Sequence, residues 1–341
     1  MKRTDLLSYT RSPNFSNRLG LPPGTPISLV PLGQGEYNQN FFFVHPLTGQ
    51  KLVLRVNTGS QMHLENQIEY EFSALQELKT SGRTPCPLFC DGASSELGQG
   101  VLVMEWLPGR PLNYRKDMTA AAEILADIHS VPIRPDTKLL RPADPLLSIY
   151  NECLEMSALY FRWKNAEGTV CSLLESMIRD AGRLAEDAAG DPPRCIVNTE
   201  LNSGNFLINE SGQTSYLIDW EKPLLSEPAQ DLAHFLAPTT TLWKTSTVLT
   251  ASEIRRFTDS YRKAARERID TKAAMERLPL FFAMACLRGV TWCSMARAEY
   301  EGPDRILKNE DTFQKICRYL QPDFLEEILN RYIRTDFLKV D

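Results

Sequence analysis

Residues 198–205 read Asn198-Thr199-Glu200-Leu201-Asn202-Ser203-Gly204-Asn205, and a second segment reads Ile218-Asp219-Trp220. Glu200 and Asn205 stand five residues apart, and Asp219 follows Asn205 by fourteen. The residues between have a local logic. Phe206-Leu207-Ile208 is a strand-like run, Glu210-Ser211-Gly212-Gln213 is turn chemistry, and Tyr216-Leu217-Ile218 runs back. A hairpin of this shape returns Asp219 to the end where Asn205 sits, so that two oxygen-bearing side chains converge as a hard cation such as Mg²⁺ requires.

An acid that orients an acceptor hydroxyl, an Asn five residues on that holds a metal, and a second acid across a short hairpin form the layout of a kinase catalytic loop with its metal-binding acid. Over these residues alone, an ordinary polar loop and hairpin has the same pattern. The rest of the chain decides between the two.

Upstream, Ile27 to Trp106 is strand-rich with one helix. Ile27-Ser28-Leu29-Val30 enters Gly33-Gln34-Gly35, Phe41-Phe42-Phe43-Val44 leaves it, and Lys51 to Val56 is a further strand after the turn Pro46-Leu47-Thr48-Gly49. Leu64, Ile68, Glu71, Leu75 and Leu78 recur at helical spacing and place Glu71 inside an apolar stripe. A buried carboxylate is costly unless paired, and Arg55 on the preceding strand is the obvious partner. A glutamate at the edge of the stripe, reaching water, is the plainer alternative. A strand cation paired with a helix glutamate is the arrangement that positions nucleotide phosphates in kinases.

Val101 to Trp106 reads as a buried strand, which Leu107-Pro108-Gly109-Arg110-Pro111 breaks. Beyond it the chain is helical: Ala120–His129, Pro145–Trp163, Val170–Ala188, Leu278–Glu299, Asp311–Leu320 and Pro322–Ile333, with Thr250-Ala251-Ser252-Glu253 a capping box. The expected organisation is an N-terminal polar arm over 1–24, a sheet-bearing lobe over 25–106, a hinge over 107–116 and a helical lobe over 117–341. The catalytic loop and hairpin occupy 196–222. This is an α+β, bilobal fold.

Bulk properties narrow the partners. The chain has 341 residues and a net charge of −5 without a long basic run, which speaks against a nucleic-acid partner. Eight scattered cysteines include one close pair, Cys86 and Cys90, with no second pair to complete a zinc site. Met1-Lys2-Arg3-Thr4-Asp5 leads into no apolar signal core, so reduced thiols in a cytoplasmic protein are expected. Leu278 to Ala296 is the most apolar stretch. Pro279 and Arg288 interrupt it, so it reads as a buried helix and no membrane partner is expected.

Taken in order, these pieces resemble the aminoglycoside phosphotransferase and choline kinase superfamily, small-molecule kinases with a protein-kinase-like fold. The resemblance covers about residues 25–240. Gly33-Gln34-Gly35-Glu36-Tyr37-Asn38 is similar to the family's glycine loop and Val53-Leu54-Arg55-Val56 to its cation-bearing strand. Leu102 to Gly109 is similar to its adenine hinge, Leu125-Ala126-Asp127-Ile128-His129 to the helix before its substrate region, and Glu227 to Ala233 to the segment after the metal acid.

The resemblance implies ATP and Mg²⁺ as cofactors and a small-molecule hydroxyl compound as substrate. It implies nucleotide contacts at Gly33, Gly35, Asn38, Arg55, Glu71, Glu105 and Leu107, metal ligation by Asn205 and Asp219, and catalysis by Glu200, Asn205 and Asp219. Asp231 is expected to anchor the loop, and His129 to be a packed helix-end residue. Trp220, Glu221, Trp243 and Trp292 are candidate walls for the acceptor, although core packing is the commoner role of a Trp. Three positions depart from the family: Asn198 replaces His, Glu200 replaces Asp, and Asn202 falls where many members have His. Arg55 also stands where many kinases have Lys. A catalytically impaired nucleotide-binding pseudokinase is therefore the competing expectation, and a fold reused for other transfer chemistry is a third.

Overall fold

The computed structural model describes residues 3–34, 38–60, 62, 64–92, 97–186, 190, 192–300 and 310–336. The chain forms two compact units. One comprises Met1–Arg110, Val131–Leu139 and Leu207–Pro223; the other comprises Pro111–Ser130, Leu140–Phe206 and Leu224–Asp341.

In chain order the elements begin with α1 (Arg3–Tyr9), α2 (Pro13–Arg18), β1 (Val30–Gln34), β2 (Asn38–Val44), β3 (Lys51–Asn57), α3 (Gln67–Leu78), β4 (Pro87–Asp91) and β5 (Gly100–Glu105). There follow β6 (Arg110–Pro111), α4 (Met118–His129), α5 (Pro145–Arg162), α6 (Gly168–Glu186), β7 (Cys195–Val197), β8 (Phe206–Ile208), β9 (Tyr216–Leu217) and β10 (Leu224–Ser226). The last are α7 (Pro228–Leu236), α8 (Pro238–Lys244), α9 (Ala251–Ala265), α10 (Thr271–Tyr300), α11 (Glu310–Tyr319) and α12 (Pro322–Ile328).

The first unit is built on an antiparallel sheet of order β1-β2-β3-β5-β4. Its central strand β3 is buried on both faces. Side chains alternate along a strand, so Leu52, Leu54 and Val56 enter one core cluster. Val53 and Arg55 consequently point to the opposite face. That cluster also contains Leu6, Tyr9, Phe15, Leu19 and Leu21. Residues 3–21, expected to be a polar arm, therefore fold into α1 and α2 and supply part of the sheet's core. Tyr9 and Phe15 meet edge-to-face at 5.4 Å, and Phe15 meets Phe89 at 5.6 Å. Ser12 caps α2 by accepting the Phe15 N–H at 3.2 Å. The first strand also begins later than its apolar run suggests, at Val30, because Ile27 is spent on the core.

The second unit is helical. Phe235 of α7 is at its centre, with ring centroids 5.1 Å from Phe206, 5.2 Å from Phe257 and 5.2 Å from Tyr114. The capping box at α9 forms as read, with Thr250 and Glu253 bonded reciprocally. The expected Leu278 helix is longer than its apolar run, because α10 begins at Thr271 and continues through Pro279. By length and composition α10 could cross a membrane, but 67% of its most apolar window is buried inside the protein.

Candidate functional site

In the first unit, the strand alternation that turns Arg55 away from the cluster of Leu52 and Leu54 aims it at α3. Its Nη1 donates to Glu71 Oε1 at 2.5 Å, and its Nε donates to Asn40 Oδ1 at 2.9 Å. The same Nη1 lies 3.5 Å from Asp219 Oδ1. Both members of the Arg55–Glu71 pair are buried, at 8% and 2% side-chain exposure, which eliminates the solvent-reaching alternative for Glu71. Asp219, by contrast, is 32% exposed.

Three carboxylates act on this one guanidinium. Burial opposes the Arg55 charge, but Glu71, Asp219 and Glu221 outweigh it and raise the Arg55 pKa. Glu71 is also raised, first by burial and further by Asp219, against the pull of Arg55. The Arg55 shift comes from its three carboxylate neighbours, whereas the Glu71 shift comes first from burial, with Asp219 adding to it. Among the described residues, the Glu71 oxygen Oε2 has no hydrogen-bond partner. Such a cluster fits an added hard cation.

Among the described residues, no group of three or more His, Cys, Asp or Glu could hold a metal unaided. Mg²⁺ ordinarily needs only one or two carboxylates, completed by phosphate oxygens and water. Asp219 itself adopts a left-handed backbone, φ 67°, a conformation that costs a non-glycine residue free energy and recurs at functional sites.

Around this cluster, Asn38 donates to Glu221 Oε2 at 2.6 Å and accepts from Asn57 at 2.9 Å. Gln67 donates to the Glu221 carbonyl at 2.6 Å, and Tyr70 to the Pro223 carbonyl at 2.5 Å. Asn38 is therefore tied to the segment that follows Asp219. Gly33 lies in β1 opposite Asn40, beside a register shift; Gly35 falls outside the described residues. Glu105 ends β5 with its N–H on the Cys86 carbonyl at 2.9 Å. Leu107 follows β5 and is buried. Gly109 takes φ 141° with a Cβ position 2.8 Å from the Leu207 backbone, a place that only glycine fits.

In the second unit, the loop 198–205 is held from below by Asp231 of α7. The Asp231 carboxylate accepts the N–H of Asn198 at 2.8 Å and of Thr199 at 2.9 Å. Thr199 has φ 69°, so the carboxylate holds a strained left-handed turn. His129 lies against the same carboxylate, with Nε2 3.3 Å from Oδ2, and its Nδ1 is 2.9 Å from the Tyr261 hydroxyl. Asp231 is thus the anchor and His129 the packed helix-end residue that the sequence suggested.

Asn198 accepts the Glu200 N–H at 3.0 Å, and Asn205 donates to the Glu200 carbonyl at 2.7 Å. Asn202 caps the loop by accepting the Gly204 N–H at 2.9 Å. The Glu200 side chain is 31% exposed, with Oε1 3.6 Å from Arg288 Nη2. This neighbour was missed in the sequence, where Arg288 reads only as an interruption of an apolar run. The available signal was the energetic cost of one charge in such a helix.

Of the candidate wall residues, Trp220 packs in the core, the commoner role given for a Trp: it is buried, with Nε1 donating to the Leu217 carbonyl at 3.1 Å. Trp243 and Trp292 meet edge-to-face at 5.3 Å.

An antiparallel sheet with a buried strand cation and helix glutamate, together with a helical unit carrying the loop, is the protein-kinase-like plan of small-molecule kinases. The chain belongs to the phosphotransferase enzyme family, whose model matches residues 28–271. Membership in that family supports a small-molecule phosphotransferase.

Solved structures share the fold. A spectinomycin phosphotransferase, crystallised with ADP and spectinomycin, is 12% identical, with 91% of this chain and 94% of that chain covered and a TM-score of 0.60. A choline kinase from Cryptosporidium parvum is 13% identical, with 97% and 98% covered and a TM-score of 0.63. An ethanolamine kinase from Plasmodium vivax is 14% identical, with 88% and 84% covered and a TM-score of 0.61.

Proposed function

We propose that this chain transfers the γ-phosphoryl group of Mg·ATP to a hydroxyl of a small molecule. The observation that carries the reading is the Arg55–Glu71–Asp219 cluster in the first unit. In this reading Arg55, fixed by Glu71, contacts the nucleotide phosphates. Gly33, Gly35 and Asn38 contact the phosphates, and Glu105 and Leu107 the adenine. Asp219 and Asn205 would hold Mg²⁺, which would neutralise charge on the transferred group. Glu200 orients the acceptor hydroxyl. An aminoglycoside-, choline- or amino-alcohol-like acceptor suits the acidic side chains. The eight cysteines, all unpaired, support a cytoplasmic location.

The test is incubation with Mg·ATP and a metabolite extract, beside Asp219→Ala, with mass-spectrometric detection of phosphorylated products. A product made only by the unmodified chain is expected. ATP binding without any Asp219-dependent product would favour the pseudokinase, a reading that draws on the Glu at position 200. Glu200→Asp separates the two further. Faster turnover marks an impaired base, and slower turnover a loop built around Glu.

A further inference from the structure

One ionic cluster in the helical unit has no place in the roles above. Arg288 lies on α10, between Leu287 and Val290, which are both buried. It projects from that apolar surface to Glu152 of α5. Its Nε donates to Oε2 at 3.0 Å and its Nη2 to Oε1 at 3.2 Å. Two parallel bonds fix the plane of a guanidinium as well as its position. The Arg288 side chain is only 17% exposed. Burial disfavours its charge, but Glu152 and then Glu200 outweigh burial and raise its pKa.

The backbone beneath is fixed too. A Cβ on Gly289 would lie 2.5 Å from Thr239 Cβ, so α10 is seated against α8 at this turn. With one edge held by Glu152, Nη2 still faces Glu200 Oε1 at 3.6 Å. That is an ion-pair distance longer than a hydrogen bond. The Glu200 side chain is one methylene longer than the aspartate of the family pattern, and Arg288 is a cation that faces it.

We propose that Arg288, braced by Glu152, is a positioning residue for Glu200: it sets where the longer carboxylate rests, so that glutamate is the residue this loop is built to use. The proposal rests on the phosphotransferase reading. A bridge that only ties α5 to α10 is the rival account.

The test is steady-state Mg·ATP turnover with water as acceptor, giving ADP and phosphate, on the full chain. Asp219→Ala is the reference. Arg288→Met should lower kcat about tenfold to a hundredfold with KM for ATP within about twofold, as expected for a misplaced group. Arg288→Lys, which keeps the charge but loses the fork, should recover part of that. Glu152→Gln should cost about threefold to tenfold in kcat, because the brace is weakened and Arg288 remains. The pair Arg288→Met with Glu200→Asp should be no slower than the slower single variant, since both act through one carboxylate.

Three results would each overturn the proposal: turnover of Arg288→Met within twofold of the unmodified chain, losses that multiply in the pair, or KM and melting temperature moving together with kcat. Arg288→Lys and Glu152→Gln keep the question answerable if Arg288→Met does not fold. Absence of Asp219-dependent hydrolysis in the unmodified chain overturns the phosphotransferase reading itself, and this inference with it. That failure is distinguishable because it is visible before any Arg288 variant is made.

Discussion

Asp231→Ala should be among the most damaging single substitutions in the helical unit. Asp231 is fully buried, and its two oxygens accept the N–H groups of Asn198 and Thr199 at 2.8 and 2.9 Å. Removing the carboxylate strands two buried donors, each at a cost of about 1–3 kcal/mol. A loss near 4 kcal/mol is the central expectation, before any return from relaxing the left-handed Thr199. His129 loses the same partner. Asp231→Asn keeps one oxygen but turns an amide N–H toward the second donor, so it should recover less than half.

Urea unfolding of the full chain followed by far-UV circular dichroism reads this as a lower midpoint at constant slope. Phosphotransfer should fall further than stability alone requires. A loop displaced by about an ångström costs about a hundredfold in rate, equivalent to about 2.7 kcal/mol. A stability loss below about 1 kcal/mol in Asp231→Ala, together with turnover within twofold of the unmodified chain, would refute the claim that this carboxylate holds the loop.

Three other outcomes follow from the same geometry. Gly289→Ala places a methyl 2.5 Å from Thr239 Cβ, and overpacking there should cost about 1–3 kcal/mol in the same unfolding experiment. Mg·ATP at a hundred times its dissociation constant should stabilise the chain by about 2.7 kcal/mol in thermal unfolding; chelation of the metal or Asp219→Ala should remove most of that protection. The Glu253 carboxyl is held below its usual 4.5, first by the Thr250 N–H and also by Arg115. A depressed folded pKa contributes stability present above the unfolded value and lost as the pH falls through the folded one. Glu253→Gln should therefore flatten the acid limb of the stability curve below pH 4.5.

What the sequence disclosed and what it hid divide along chain distance. Arg55 and Glu71 were legible because they are sixteen residues apart, on a strand and a helix whose periods are visible and whose burial demands a partner. The hairpin carrying Asp219 was legible for a similar reason: turn residues and two apolar runs lie side by side in the chain. The helices α1 and α2, of seven and six residues, were not legible. Helices that short do not persist alone and show no full apolar stripe; packing of Tyr9 and Phe15 against β4 and the sheet makes them. Trp220 takes the core role that was the commoner expectation, because an indole beside a functional acid fits a pocket and a core alike until burial is known.

Glu200 shows why the loop motif was insufficient. Read locally, an extra methylene at the acceptor-orienting position suggests a displaced carboxylate. Arg288 lies 3.6 Å from that carboxylate in the helical unit and is itself paired with Glu152, and no local pattern links positions 152, 200 and 288. An arginine fixed at two points by Glu152 presents a charge at one place only, and the carboxylate length that suits it depends on where α5 and α10 set that charge. The departure from the family pattern and the unexpected arginine are thus two parts of one feature. If so, the penalty of shortening Glu200 should depend on whether Arg288 is present, an interaction that a bare catalytic loop could not produce.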